Sequence, residues 1–355
     1  MPKIDTLTEF LENGGLSPRF YDMGRRIQPI KREDFIAFER TQTPYAQPLQ
    51  QQAWLALVLQ TGDETQPGEP QIWFIRFPLD EQAKLQLAAR DDFMFQLMEL
   101  LGKAASEEAK SKQEIDAALE QSPYTFQPKQ ERLAAFHARL TMDLNQPPSR
   151  YYDHTRQYFS GELGWDQWSF IGYQGIADMA ARHAIDNNEQ RLIAAIPQLP
   201  PTPLEALCHN LENSTIPSPL AEALLSRCRQ TLTETDPDPQ VITACLRGIS
   251  FSQSQEHRRT LLGEVLGHPL ARRSDVLAAI AGRLWLDLGD QALRNQFLEQ
   301  LAANDQGEPF FQQLLADLLY IEDCRQGLLE SLRNPNRSEQ LSRAIGTFFS
   351  QLGAS

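Results

Sequence analysis

The chain has 355 residues, enough for two or three domains, and its hydrophobic content of 41% can fill a stable core. The formal net charge of −14 disfavours general binding to nucleic acids or anionic membranes, because both present negatively charged phosphate groups. No apolar run reaches the roughly 18 residues of a membrane-spanning helix, and residues 1–15 have the pattern of a short amphipathic helix instead of a signal peptide.

The first hundred residues alternate between strand and helix patterns. Residues 19–30 have the composition of extended chain, and residues 32–42 place aromatic side chains at helical spacing. Residues 53–60 and 71–79 are rich in strand-forming residues, are apolar on both faces, and are separated by turn-forming residues. These features predict an α+β domain with a small antiparallel sheet, in which the last two segments pair as a hairpin.

A group of carboxylates follows the second strand of this hairpin. Asp80 stands where the capping residue of a helix is expected, and Asp91 lies eleven residues later on the same predicted helix. A separation of about 16 Å along the helix axis excludes a shared metal ion or a catalytic carboxylate pair. We therefore expect Asp80 to cap the helix and the other carboxylates to form its polar face.

Basic residues are expected near these carboxylates. Arg25 and Arg26 lie in the extended segment 19–30, and Arg90 precedes Asp91 and Asp92. Because the segment and the helix are expected to lie close together, their opposite charges predict a structural ion-pair cluster in the N-terminal domain.

The end of the first domain is marked by a change in composition. Residues 103–122 are charged and rich in alanine, which predicts an exposed helix or a partly mobile insertion. An extended segment at 123–128 and an amphipathic helix follow, and the sequence Asn-Gln-Pro-Pro-Ser at 145–149 breaks that helix. The α+β domain is therefore predicted to span residues 1–145.

From residue 146 to residue 355 the pattern changes to consecutive helices that repeat. Five helix starts lie 34 to 36 residues apart, and a second helix follows each of them; the starts are predicted at Asp166, Thr202, Asp238, Ser274 and Glu308. One further helix is predicted near the C-terminus. Two helices in about 35 residues, without the residue spacing of a TPR motif, predict an all-α HEAT-like solenoid of about five helix pairs.

Four arginines of this region form the first candidate partner-binding site. Arg247 and Arg283 are 36 residues apart, as are Arg258 and Arg294, so stacked repeats would bring each pair together in a basic patch. Like charges held side by side suggest an anionic counterpart, and an acidic protein segment is favoured over a nucleic acid. The alternative is internal pairing, for example between Arg283 and Asp287.

The aromatic segment 161–183 is the second candidate site. Trp165 and Trp168 have helical spacing, and Gly172 and Gly175 continue the same pattern. Two glycines inside a helix cost about 1 kcal/mol each relative to alanine, which close packing or a closely bound ligand would offset. The segment predicts either an aromatic groove for a peptide or planar ligand, or the packed joint between the two domains.

The sequence contains no motif typical of a catalytic or metal site. The patterns of serine hydrolases, zinc proteases and phosphate-binding loops are missing. The cysteines are far apart and lie among apolar residues, which predicts reduced core thiols in a cytoplasmic protein; they are Cys208, Cys228, Cys245 and Cys324. We therefore expect no metal and no cofactor, and assign no catalytic residue.

Five segments carry a resemblance to a known family: TLTEFLENGG, YDMGRRIQPI, TPYAQPLQQQAWLALVL, IWFIRFPLDEQ and AARDDF. In them the chain resembles an uncharacterised family of gammaproteobacterial proteins, described as a domain of unknown function. The resemblance implies a bacterial, cytoplasmic protein and supplies no activity, cofactor or catalytic residue.

The sequence as a whole favours a protein-interaction or adaptor role. An extended helical-repeat surface mostly binds other proteins, and the expected partner is a protein with an acidic segment. One alternative is an enzyme whose active site lies between the domains and uses scattered residues; these would be Asp22, Arg25, Arg26, Arg90 and Asp91. The other alternative is a nucleic-acid binder that uses the local arginine ladder.

Overall fold

The structure is a computed structural model that describes residues 5–60, 70–106, 119 and 121–352. Most of the segment 103–122, for which the sequence predicts an exposed helix or a mobile insertion, lies outside the described residues.

The chain separates into two compact units. The first comprises Met1–Pro128 with Tyr320–Glu322, and the second comprises Lys129–Leu319 with Asp323–Ser355. The division after Pro128 comes earlier than the predicted boundary at residue 145, because the helix that follows Lys129 packs with helices of the second unit.

The first unit is built on a four-stranded antiparallel sheet. The strands are β1 (Ser17–Asp22), β2 (Gln28–Ile30), β3 (Gln52–Gln60) and β4 (Gln71–Pro78), in the order β2-β1-β3-β4. Leu57 of β3 lies opposite Phe20 of β1 on one side and opposite Trp73 of β4 on the other. The α+β architecture of this part is confirmed, and β3 and β4 are the two strands predicted to pair.

The core of the first unit lies on one face of this sheet. Alternate residues of β3 are buried there; they are Ala53, Leu55, Leu57 and Leu59. Three helices supply the opposing side chains, namely α1 (Leu7–Asn13), α2 (Arg32–Glu39) and α3 (Leu87–Ser106). Phe35 of α2 stacks on Phe20 of β1, with 3.8 Å between ring centroids. Each such aromatic side chain contributes about 1.5–3 kcal/mol through its burial.

The segment between β4 and α3 differs from the prediction. Asp80 caps a tight turn and not a helix, since its Oδ1 accepts hydrogen bonds from the backbone N–H groups of Gln82 and Lys84, both at 2.9 Å. Within this turn Ala83 has a φ of 58°, in the left-handed region that a continuous helix does not use. Helix α3 therefore begins at Leu87, and the prediction that it begins at Asp80 is wrong.

The elements of regular secondary structure that the structure describes in the second unit are all helices. Its helices are α4 (Gln130–Asp143), α5 (Tyr152–Phe159), α6 (Tyr173–Ala181), α7 (Asn188–Ala195), α8 (Pro201–Leu211), α9 (Ser218–Leu232), α10 (Pro239–Ile249), α11 (Gln255–Leu266), α12 (Ser274–Arg283), α13 (Gln291–Ala302), α14 (Glu308–Leu319), α15 (Glu322–Leu332) and α16 (Glu339–Leu352). The mostly helical character predicted for this part is confirmed.

These helices pack in two series of alternating helices. One series runs α4, α6, α8, α10, α12 and α14, and the other runs α5, α7, α9, α11 and α13, each helix contacting the next in its series. Close approach is possible at Gly248 of α10, where an added Cβ would lie 2.8 Å from the sulfur of Cys208 on α8. The backbones of neighbouring helices can therefore come closer than larger side chains would permit.

Four of the five predicted repeat starts coincide with the beginning of a helix, at Thr202, Asp238, Ser274 and Glu308 to within one residue. Asp238 shows the predicted chemistry, because its Oδ1 accepts from the backbone N–H of Gln240 at 2.9 Å and Pro239 is the first helical residue. The start predicted at Asp166 is wrong, since that residue lies in a short 3₁₀ helix and the α-helix begins after it.

Candidate functional site

Arg247 and Arg283 of the predicted basic patch share a carboxylate of their own chain. Glu212, at the end of α8, is fully buried; Arg247 donates from Nε to its Oε2 at 2.7 Å and from Nη2 to its Oε1 at 2.9 Å. The Nε of Arg283 lies 2.8 Å from the same Oε2, and Nη1 of Arg132 lies 3.5 Å from Oε1. Four helices are thus joined at one carboxylate.

The three guanidinium groups determine the protonation of this site. Burial alone would raise the pKa of Glu212, but the charges of Arg283 and Arg247 outweigh burial and hold the pKa below its ordinary value. Burial, followed by the charge of Arg247, lowers the pKa of the nearby His209 to about 4. At neutral pH the site therefore contains an ionised Glu212 and an uncharged His209.

The other two predicted arginines also bind within the chain. Arg258 donates from Nε to Oδ2 of the buried Asp287 at 2.9 Å. The buried Arg294 donates from Nε to Oγ of Ser331 at 2.8 Å and from Nη1 to the carbonyl of Leu288 at 2.9 Å. The charges that suggested an external acidic counterpart are thus balanced by internal carboxylates or held by internal acceptors.

The internal ion pairs differ from the pair predicted from the sequence. The alternative pairing named Asp287 for Arg283, whereas Asp287 binds Arg258 and Arg283 lies against Glu212. Glu212 precedes Arg247 by 35 residues, which is one repeat. A search for opposite charges at the repeat distance would have found this pair.

Two members of the predicted ion-pair cluster of the first unit, Arg90 and Asp91, bind each other. Arg90 binds its neighbour Asp91, with 2.6 Å between Nη2 and Oδ1, and also donates from Nη1 to the carbonyl of Glu39 at 2.8 Å. Arg25 and Arg26 are buried, and Nε of Arg25 donates to the carbonyl of Pro48 at 2.9 Å. Asp92 accepts a hydrogen bond from Oη of Tyr124 at 3.0 Å.

The tryptophan pair has a different environment. Trp165 and Trp168 belong to the 3₁₀ helix Trp165–Phe170, none of whose residues is buried. Trp165 packs edge-on against Tyr158 of α5, with 5.7 Å between centroids, and the carbonyl of Trp165 accepts from Oη of Tyr158 at 3.1 Å. Gly161 has a φ of 82°, and an added Cβ would lie 3.3 Å from the indole, so glycine lets the chain turn beneath Trp165.

Large aromatic side chains are exposed around this 3₁₀ helix. Phe170 is 73% exposed and Trp168 is 37% exposed; Tyr151 and Tyr173 are also exposed. Residues three apart lie on the same side of a 3₁₀ helix, so Trp168 stands beside the anchored Trp165. We call Tyr151, Trp168, Phe170 and Tyr173 the aromatic edge.

A cavity of about 350 Å³ adjoins Trp165. It is lined by Phe159, Ser160, Trp165, Asn187, Gln190, Arg191, Ala194 and Ala195, and we call it the Trp165 cavity. Arg191 is the charged member of this lining. Its Nη1 donates to the carbonyl of Asp186 at 2.5 Å, and it forms no ion pair with any carboxylate among the described residues. The cavity therefore combines an apolar wall with one guanidinium group.

Of the two glycines of this segment, only Gly175 has a packing role. Gly172 precedes the first residue of α6, so it does not interrupt that helix. Gly175 lies in the first turn of α6, and a Cβ there would come within 2.1 Å of Oγ1 of Thr155 on α5. Close contact between α5 and α6 therefore explains Gly175 without a ligand.

Among the described residues 5–60, 70–106, 119 and 121–352, no group of His, Cys, Asp and Glu side chains could hold a metal ion. The four cysteine side chains are buried and form no disulfide, and burial raises the pKa of Cys208 well above its ordinary value. None of the helices in this part of the chain has the length and apolar character that crossing a membrane requires.

Comparison with known proteins gives one match. Residues 2–349 match the family model described as a protein of unknown function (DUF3549). No curated protein and no solved structure matches the chain.

Proposed function

The chain belongs to the DUF3549 family, and we propose that it is a protein-interaction protein whose helical part is a HEAT-like solenoid. The two series of helices support a solenoid, because most helices contact the helix before and the helix after them in the same series. Residues 35 apart also meet repeatedly, as Glu212 meets Arg247 and Arg229 meets Glu264.

The observation that carries the proposal is the exposure of the aromatic edge. Phe170 and Trp168 are exposed on a short helix that Tyr158 holds in place by a ring contact and a hydrogen bond. Large exposed apolar groups that are grouped together mark interaction sites, and tryptophan and tyrosine are frequent among the residues that dominate binding energy. Because the segment is already anchored, binding would lose little conformational entropy.

The partner we propose is a protein segment that carries acidic and apolar side chains. Arg191 supplies the positive charge of the Trp165 cavity, and Arg150 stacks 4.9 Å from the ring of Tyr151 at the aromatic edge. An exposed ion pair contributes about 0–1 kcal/mol, so the aromatic contacts must supply most of the affinity and the arginines most of the selectivity.

The proposal is tested with a random short-peptide library selected on the full-length chain. Selected peptides should combine acidic and apolar residues, and versions with Asp and Glu replaced by Asn and Gln should bind more weakly. Trp168→Ala should weaken binding by at least about tenfold, as expected for a central aromatic contact. Arg191→Glu should abolish the preference for the acidic version.

Two controls separate the site from general effects. Phe349 is an exposed aromatic residue of α16 and Arg333 is an exposed arginine, and neither belongs to the aromatic edge or the Trp165 cavity. Phe349→Ala and Arg333→Glu should leave peptide binding unchanged. Equal losses in the control variants would overturn the proposal, as would displacement of the peptide by short single-stranded DNA at similar concentration.

A further inference from the structure

A second cleft lies in the first unit, on the side of β3 that faces away from its core residues. Its volume of about 420 Å³ is within the range of small-molecule sites. Trp54 of β3 and Arg76 of β4 lie directly opposite each other in the sheet, and both line the cleft. The other lining residues are Gln50, Gln52, Pro78, Pro123 and Tyr124.

Trp54 positions the guanidinium group of Arg76. The carbon of that group lies 5.6 Å from the centre of the indole ring. The indole is itself fixed, because its Nε1 donates to the carbonyl of Leu49 at 2.9 Å and its ring packs edge-on against Phe126 at 4.9 Å. Among the residues that the structure describes, Arg76 forms no ion pair. A stacked arginine presents its donors in a planar fork that fits a carboxylate.

The turn that borders the cleft has an unusual backbone. Gln50 and Gln51 have φ values of 53° and 60°, both in the left-handed region, while Leu49 and Gln52 exchange two backbone hydrogen bonds of 3.2 and 3.1 Å. Glycine or asparagine would adopt this two-residue turn with less strain. Strained backbone is frequent at ligand sites, and this turn holds Gln50 at the rim of the cleft.

The opposite wall of the cleft is tied to the sheet. The backbone N–H of Arg76 donates to the carbonyl of Tyr124 at 2.7 Å, and the N–H of Phe126 donates to the carbonyl of Phe74 at 3.1 Å. The phenol of Tyr124 donates to Asp92 at 3.0 Å, so a nearby carboxylate is already bound to it. The charged group that lines the cleft is therefore Arg76, between walls that are fixed on both sides.

We propose that this cleft binds a small organic acid, with its carboxylate held by Arg76 and its polar substituents facing the side chains of Gln50 and Gln52. One guanidinium group balances the single charge of one carboxylate, whereas a phosphate group carries a charge of about −1.5 to −2 near neutral pH and would be only partly balanced. The stacking on Trp54 reduces the entropy lost when the ion pair forms. The cleft lies in the first unit, so this proposal stands independently of the interaction proposed for the Trp165 cavity.

The test measures ligand binding to the full-length chain by saturation-transfer NMR and calorimetry. The probes are acetate, benzoate and succinate, each compared with its neutral amide and with inorganic phosphate. At least one acid should bind with a Kd between about 0.1 and 10 mM, while the amides and phosphate bind more weakly. Binding of amides as tight as that of the acids would overturn the proposal, and so would the lack of any acid binding in this range.

Variants connect the binding to this cleft. Arg76→Gln should weaken acid binding at least about tenfold, because a charge-assisted hydrogen bond is lost. The melting temperature should not fall, because Arg76 is exposed. The control is Arg19→Gln, since Arg19 is an exposed arginine of β1 in the same sheet that does not line the cleft. Equal binding by Arg76→Gln and wild type would overturn the assignment.

The turn gives a second, independent pair of variants. Gln50→Gly and Gln51→Gly both place glycine at a left-handed position, so neither should lower the melting temperature. Gln50→Gly should weaken acid binding about threefold or more, whereas Gln51→Gly should leave it unchanged, since Gln51 does not line the cleft. Equal effects of both changes would overturn the role of Gln50. Tighter binding of a short peptide with a free C-terminal carboxylate than of the small acids would overturn the small-molecule assignment.

Discussion

Glu212→Gln is expected to destabilise the helical unit by about 3 kcal/mol. The substitution preserves the shape of the side chain and removes the negative charge that faces Arg132, Arg247 and Arg283. It leaves one carbonyl oxygen as an acceptor and places an amide donor where Arg247 or Arg283 now finds an oxygen. Three guanidinium groups then remain together without their shared counter-charge.

The magnitude follows from the burial of the group. Breaking a buried ion pair by removing one partner costs about 3–5 kcal/mol, because the remaining charge is left in a poorly solvated place. Glu212 is fully buried, but the side chains of Arg283, Arg132 and Arg247 are 14%, 20% and 22% exposed. Water can therefore solvate part of the uncompensated charge, which favours the lower end of the range.

A matched control is present in the same unit. Glu264 binds Arg229 through Nε at 2.8 Å and Nη2 at 2.7 Å, and the two residues are 35 apart, as are Glu212 and Arg247. Both side chains of the control pair are more than one third exposed. Glu264→Gln should therefore cost no more than about 1 kcal/mol, the value of a surface ion pair.

The assay is urea unfolding followed by circular dichroism. The free energies of unfolding are compared between variants whose unfolding free energy depends on urea concentration with the same slope as in the wild type. Arg247→Gln should cost less than Glu212→Gln, because Glu212 would keep Arg132 and Arg283. Equal costs for Glu212→Gln and Glu264→Gln would refute the role of burial. A larger cost for Arg247→Gln than for Glu212→Gln would refute the shared carboxylate.

Two further predictions concern pH and packing. Burial lowers the pKa of His209 from 6.5 to about 4, so the unfolded chain binds more protons than the folded chain between these pH values. The free energy of unfolding should therefore rise with pH from about 4 to 6.5, and His209→Gln should flatten this rise in acid-unfolding curves. A curve of unchanged slope in the variant would contradict this cause. Gly175→Ala should lower the melting temperature and the free energy of unfolding, the latter by about 1–3 kcal/mol, because the new methyl group would meet Oγ1 of Thr155. Recovery of stability in the double variant Gly175→Ala/Thr155→Ala would identify this clash, whereas unchanged low stability would contradict it.

Much of the helical part could be predicted because its signals are local. A capping residue or a proline marks the beginning of α8 and α10, and apolar residues at helical spacing continue each helix. The error at Asp166 has a physical cause. Trp165 and Trp168 are three apart, a spacing that suits a 3₁₀ helix as well as an α-helix. The positive φ of Gly164, which changes the chain direction before Trp165, cannot be inferred from that spacing.

The arginine contacts were harder to predict because they depend on which charges a fold brings together. In the sequence, Arg247 and Arg283 stand out as like charges that are one repeat apart. In the structure the carboxylate of Glu212 lies against both, so the closest electrostatic relation is between opposite charges, one repeat apart for Arg247 and about two repeats apart for Arg283. A repeat distance indicates that two residues are neighbours, but it does not indicate which third side chain stands between them.

This internal use of charge shifts the expected recognition surface. Arg258 is engaged by Asp287 and Arg294 by Ser331, so exposing either guanidinium group to a partner would break contacts that hold the helices together. Arg191 in the Trp165 cavity and Arg76 in the first unit form no ion pair among the described residues, and each stands in a cleft that a tryptophan also lines. A carboxylate can therefore approach either arginine without displacing an internal ion pair. We therefore place the proposed recognition of acidic groups at these two clefts and not at the repeat arginines, because binding there would leave the internal contacts of the folded core intact.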